Sequence, residues 1–170
     1  SIDMVLAIGG GSTIDCAKIV AAGAKYDGDP WDLVLRGSLI KEALPIYSVL
    51  TLSATGSEMD CFAVISDLEK NEKWGTGAEA LKPKMSIMDP QYTYTVSKKQ
   101  TSAGTADIMS HTFENYFTNV KGAGLQGHMC EAVLKTCIKY APIALENPED
   151  YDARANLMWC GSLAINGLLS

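Results

Sequence analysis

No cluster of lysine or arginine breaks the acidic balance of this chain: 20 Asp and Glu stand against 14 Lys and Arg, a net charge of −6. A surface of that sign repels phosphate polymers and excludes nucleic acid as a partner class. Long apolar runs are also lacking. Hydrophobic residues make up 47% of the 170, yet no uninterrupted stretch approaches the roughly 18 residues that would cross a bilayer. No membrane partner is therefore expected, and a soluble, cytoplasmic protein is. The start has neither a basic n-region nor a cleavage-site pattern. There is no CxxC pair. The five cysteines, Cys16, Cys61, Cys130, Cys137 and Cys160, are odd in number and sit mostly among apolar residues, which reads as reduced, packed thiols. Neither the GxGxxG fingerprint nor the lysine of a P-loop is present.

The chain enters an apolar run, Met4 to Ile8, straight after Ser1-Ile2-Asp3 and closes on the apolar tail Leu163 to Ser170. Both ends read as cuts, so an internal fragment of a longer protein is expected. From residue 1 to about 96, short β-rich runs alternate with helical patterns, the signature of an α/β layer with mostly parallel strands. Strands are predicted at Met4–Ile8, Pro45–Thr51, Cys61–Ser66 and Met85–Met88. A helix is predicted from Ser12 to about Ala24, and a polar turn from Asp67 to Lys73.

From about residue 97 the pattern is helical throughout. Lys99–Phe117 carries Met109, Phe113 and Tyr116/Phe117 as its apolar stripe. Leu125–Leu145 carries Met129, Val133 and Ile138, with Pro142 expected to kink or tighten its end. Asp150–Leu169 is a third helix, capped by Asp150 or Asp152.

Two features carry chemistry. Gly9-Gly10-Gly11-Ser12-Thr13 joins the first strand directly to the first helix, which places unencumbered backbone N–H groups at a helix N-terminus, where orphan donors and the helix dipole bind phosphate. Glycine there removes the Cβ that would hold a pyrophosphate away. A tight strand-to-helix turn needs one or two glycines; three in a row favour a phosphate cradle. A second hydroxyl-rich turn, Thr51 to Glu58, follows the next strand in the same way, and turns at the ends of parallel strands are the usual ligand position in open α/β sheets.

The other feature is Asp107 and His111, four apart on a predicted helix and so on one face. Carboxylate plus imidazole suits a divalent first-row metal better than calcium, although the same spacing also arises as a simple hydrogen-bonded pair, and two ligands do not close a site. The small residues Ser102 to Ala106 just before Asp107 would let something bulky approach the backbone.

In order and spacing, GGGSTIDCAK, TLSATGSE, the Pro83 to Pro90 run and GTADIMSHTFENY resemble the iron-containing (group III) alcohol dehydrogenases along essentially the whole chain. The segments around Tyr92 to Thr95 and Asn147 to Asn156 are similar to the butanol dehydrogenase and broad-range aldehyde reductase branch. The resemblance implies an α/β Rossmann-like nucleotide-binding part followed by an all-α part, the dehydroquinate synthase-like or iron alcohol dehydrogenase fold, here truncated at both ends. Residues 1–96 would be the C-terminal portion of the dinucleotide-binding domain and 97–170 the N-terminal portion of the helical metal-binding domain.

By the same resemblance Gly9, Gly10, Gly11 and Ser12 would hold the pyrophosphate of NAD(P)H. Thr51, Thr55 and Asp60 would border the nicotinamide and its ribose, and Lys73 would reach the cofactor. Asp107 and His111 would be two ligands of a divalent metal, Fe(II) in the family's usual case, with Zn(II) compatible. The family's two further histidine ligands lie on later helices, and His128 falls too early to match them. The implied reaction is hydride transfer between NAD(P)H and a small neutral alcohol or aldehyde, with the metal polarising the substrate oxygen; no side chain stands out as a general acid. A homo-oligomer, a dimer, is implied for the full-length protein, and the fragment alone is expected to be inactive. A glycerol dehydrogenase-like or dehydroquinate synthase-like enzyme of the same fold, or a non-catalytic nucleotide-binding fragment, remain as alternatives.

Overall fold

The computed structural model describes residues 2–170. The element order is β1 (Val5–Gly9), α1 (Gly11–Gly23), α2 (Pro30–Leu35), β2 (Ile46–Leu50), β3 (Phe62–Asp67), β4 (Glu72–Gly77), β5 (Met85–Ile87), α3 (Lys98–Tyr116), α4 (Gly124–Glu146) and α5 (Tyr151–Ile165). The chain divides into two compact units. One takes the described residues up to Leu50 together with Ser57–Ile87, and the other takes Thr51–Gly56 with Met88–Ser170.

In the α/β unit, β1, β2 and β5 form a parallel sheet in the order β1-β2-β5. Gly9 pairs with Leu50, so the glycine turn and the point where the chain leaves β2 share the carboxyl end of the sheet, the end at which open α/β sheets bind ligands. α1 buries Ile14, Ala17, Ile19, Ala21 and Ala22, and Ile19 and Ala22 share a core with Leu33 and Val34 of α2, Ala63 and Leu81. α2 begins with Pro30 after Asp29, whose carboxylate accepts from the Trp31 N–H. Proline at the first helical position loses no intrahelical bond.

The run at Phe62–Asp67 does not join the parallel sheet. It turns back at Asn71, which has φ +55°, and pairs antiparallel with β4 as a separate two-stranded sheet. β4 reads Glu-Lys-Trp-Gly-Thr-Gly and has no apolar alternation by which to recognise it.

In the helical unit, α3, α4 and α5 pack around Ile108, Cys130, Val133, Cys137, Leu157 and Cys160. Of the expected apolar stripe on α3 only its start reaches the core, where Met109 packs partly buried. Thr101, Gly104, Thr105, Ile108 and Thr112 are buried, whereas Tyr116 and Phe117 are exposed. Small and hydroxyl-bearing residues there allow close approach, with Thr105 Oγ1 donating to Thr101 O at 2.9 Å and Thr112 Oγ1 to Ile108 O at 2.8 Å. On α4 likewise Cys130 and Cys137 face inward while Ile138 is exposed, and the helix runs through Pro142 to Glu146. Asp150 caps α5 by accepting from the Ala153 N–H at 2.8 Å. Cys16 is exposed rather than packed. No helix among the described residues is long and apolar enough to cross a membrane.

Candidate functional site

Gly10 is the N-cap of α1, and no side chain caps that helix. Its carbonyl accepts from the Thr13 and Ile14 N–H groups, both at 3.1 Å. Ser12 and Thr13 point outward from the first turn. A Cβ at Gly9 would meet Thr13 Oγ1 at 2.5 Å and its Cβ at 2.7 Å, so this approach of strand end to helix requires glycine. The turn presents backbone donors and hydroxyls without bulk, which is what a phosphate group needs.

Behind the turn, α1 turns its charged residues inward. Lys18 is fully buried; its Nζ lies 2.7 Å from Asp60 Oδ1 and donates to the Asp60 and Phe62 carbonyls at 3.1 and 2.7 Å. Burial pushes the Asp60 carboxyl above its ordinary value, opposed by the Lys18 ammonium and the Phe62 N–H. Asp15, one turn earlier, accepts from Ser57 Oγ at 2.5 Å and from the Val64 N–H at 2.9 Å. These contacts tie α1 to β3 and the segment before it. The signal in the sequence was a Lys and an Asp in phase with the buried Ile14, Ala17 and Ala21. Asp60 is thus the internal partner of Lys18, and Lys73 lies exposed on β4, paired across the hairpin with Ser66.

In the helical unit Thr51 and Thr55 are half-buried on the segment Thr51–Gly56. α3 begins at the Ser97 cap, whose hydroxyl accepts from the Gln100 N–H, and carries Asp107 and His111 side by side. His111 Nε2 is 3.6 Å from Asp107 Oδ1, and His111 Nδ1 is 3.3 Å from Glu114 Oε2. In the tautomer that donates from Nδ1 to Glu114, Nε2 keeps a lone pair on the Asp107 side. Ligands about 2.1 Å from an ion hold neighbouring donor atoms about 3.0–3.4 Å apart, so at 3.6 Å the two atoms stand slightly wider than a shared cation would hold them. The set of one imidazole and one carboxylate suits Fe(II) or Zn(II). No group of three or more ligating side chains occurs among the described residues, and His128 is exposed on α4.

Residues 1–90 match the family model described as iron-containing alcohol dehydrogenase, and residues 101–169 match the C-terminal model of the Fe-containing alcohol dehydrogenase family. The NADH-dependent butanol dehydrogenase A of Clostridium acetobutylicum is 64% identical over 170 residues, covering 100% of this chain and 44% of that protein. The NADPH-dependent aldehyde reductase YqhD of Escherichia coli is 42% identical over 171 residues, covering 99% of this chain and 44% of that one. The solved structure of NADH-dependent butanol dehydrogenase A from Thermotoga maritima has a TM-score of 0.95 at 44% identity, over 99% of this chain and 42% of that one. The chain thus spans less than half the length of the relatives it matches.

Proposed function

The chain belongs to the iron-containing alcohol dehydrogenase family, and from that premise we propose that the protein carrying it transfers a hydride between NAD(P)H and a small neutral alcohol or aldehyde. The observation that carries this reading is the Asp107–His111 pair, one carboxylate oxygen and one imidazole nitrogen 3.6 Å apart on one helix face. The names of the relatives, butanol dehydrogenase and aldehyde reductase, favour alcohol and aldehyde chemistry over the glycerol and dehydroquinate alternatives.

Residues 1–96 take the role of the dinucleotide-binding part and 97–170 that of the metal-binding part. Gly9, Gly10, Gly11 and Ser12 offer backbone N–H and hydroxyl donors to the pyrophosphate, Thr51 and Thr55 border the nicotinamide and its ribose, and Lys73 reaches the cofactor from the exposed face of its hairpin. Asp60, given the same role by the family resemblance, is held by its buried contact with Lys18. Asp107 and His111 hold the metal, Fe(II) with Zn(II) as a substitute, and segments of the protein outside these 170 residues supply the remaining ligands. When bound, the metal supplies a Lewis acid for the substrate oxygen and NAD(P)H supplies the hydride. Around Asp107, the residues Ala106, Met109 and Ser110 bring no charge, which suits a neutral substrate. The whole protein is a cytoplasmic homodimer in this reading.

The test is turnover by the full open reading frame. Loaded anaerobically with Fe(II), it should oxidise NADH or NADPH when butanal is added, lose that activity to a chelator and regain it with Fe(II) or Zn(II). Cofactor oxidation equal with and without aldehyde, or turnover indifferent to metal removal, contradicts the reading.

A further inference from the structure

Gly104 lies on α3 one turn before Asp107 and two turns before His111. It is buried, and a Cβ there would collide with the Ser53 carbonyl oxygen and stand 3.4 Å from Ala54 Cβ. On α5, a Cβ at Gly161 would stand 3.4 Å from the Ala54 carbonyl oxygen and 3.5 Å from its nitrogen. Gly56, at φ +66°, closes the segment; a Cβ there would collide with the Ile165 side chain and come within 2.8 Å of the Gly161 carbonyl. The backbone of Thr51–Gly56 is thus seated directly on two helix backbones. The remaining gap, lined by Leu52, Ser53, Thr101, Thr105 and Arg154 among others, is about 10 Å³, room for about one water. Arg154, itself buried, braces the seat by donating from Nη1 to Thr101 Oγ1 at 2.9 Å and from Nε to the Pro148 carbonyl at 2.8 Å.

At 3.6 residues per turn and 1.5 Å rise, Gly104 and His111 are about 20° apart around the helix and about 10 Å apart along it; Asp107 is about 60° and 4.5 Å away. The seat and the ligand pair therefore share one face of one helix. We infer that Gly104 is a positioning residue: by admitting the Ser53–Ala54 backbone it fixes Thr51 and Thr55 at a set distance from Asp107 and His111. A methyl group at Gly104 forces the segment off the helix by about an ångström, and a misplacement of that size in an oriented transfer costs up to about 100-fold in rate.

This inference rests on the proposed hydride transfer, so wild type is assayed beside each variant of the full open reading frame, loaded with Fe(II) and supplied with butanal and NADH. In Gly104→Ala, kcat should fall by about tenfold or more, with metal content and NADH affinity within about twofold of wild type. The deuterium isotope effect on kcat with 4-deuterated NADH should rise, because hydride transfer has become slower relative to product release. Gly127→Ala on α4, where a Cβ meets nothing within 4 Å, should leave kcat unchanged. If Gly104→Ala does not fold, Gly56→Ala, whose methyl group would come within 2.8 Å of the Gly161 carbonyl, carries the test, with a loss of about threefold and the same rise in isotope effect. Loss of metal or cofactor in step with activity overturns the inference, as does an unchanged kcat or isotope effect in the folded variant that carries the test. A wild type that turns over beside an equally active Gly104→Ala sinks only this inference; a wild type that reduces no aldehyde sinks the functional reading and this one with it.

Discussion

In the α/β unit the residues that follow Gly56 are fastened to α1 by charge, with Asp60 on the buried Lys18 and Ser57 on Asp15. In the helical unit the residues up to Gly56 are fastened to α3 and α5 by the lack of side chains at Gly104 and at Gly56 itself. The two locks fail in opposite ways. A buried ion pair is intolerant of removal, because the partner left behind is an uncompensated charge. A glycine seat is intolerant of addition, because backbone cannot yield as a side chain can.

The largest expected effect comes from breaking the first lock. Lys18→Met should destabilise the full-length protein by about 3–5 kcal/mol in urea unfolding, and Lys18→Met with Asp60→Leu should recover most of that. A double variant no more stable than the single would mean that the pair matters for something other than its charge. The single variant also has a pH signature. Without the ammonium, burial raises the Asp60 carboxyl further above its unfolded value. The folded state then binds more protons than the unfolded one between the two values, and stability falls as pH rises through the folded value. A flat stability profile across that window contradicts this account of Asp60.

At the turn, adding a methyl tests shape rather than charge. Gly9→Ala should weaken NAD(P)H binding by about tenfold, about 1.4 kcal/mol, while leaving metal content unchanged; unaltered cofactor affinity would show that the turn is structural only. The smallest effect is expected where neither lock is involved. Asp150→Ala removes the cap of α5 and should cost about 1 kcal/mol of stability with no change in NADH affinity.

Much of this organisation was legible in the sequence wherever one periodicity governs a long segment. α1, β1, β2, β5, α3 and α4 fall within one or two residues of the runs that announced them, and the adjacency of Asp107 and His111 follows from helix geometry alone. Short or tertiary features were not legible. α2 is six residues long, too few to show a period, and β4 is polar and glycine-rich, so only its pairing with β3 makes it a strand. The inward turn of Asp15 and Lys18 depends on partners more than forty residues away. Of the apolar stripe on α3, Met109 packs against the core while Tyr116 and Phe117 are exposed, because most of the buried face is built for close approach by glycine and threonine. The small run before Asp107 did indicate that something approaches the backbone, and Ser53 and Ala54 are what approach.

The metal ligand assignment is tested most directly by the metal content of His111→Ala in the full open reading frame, measured beside NADH binding. Loss of the bound metal with NADH affinity retained is the expected result. Metal content equal to that of the wild type would contradict it.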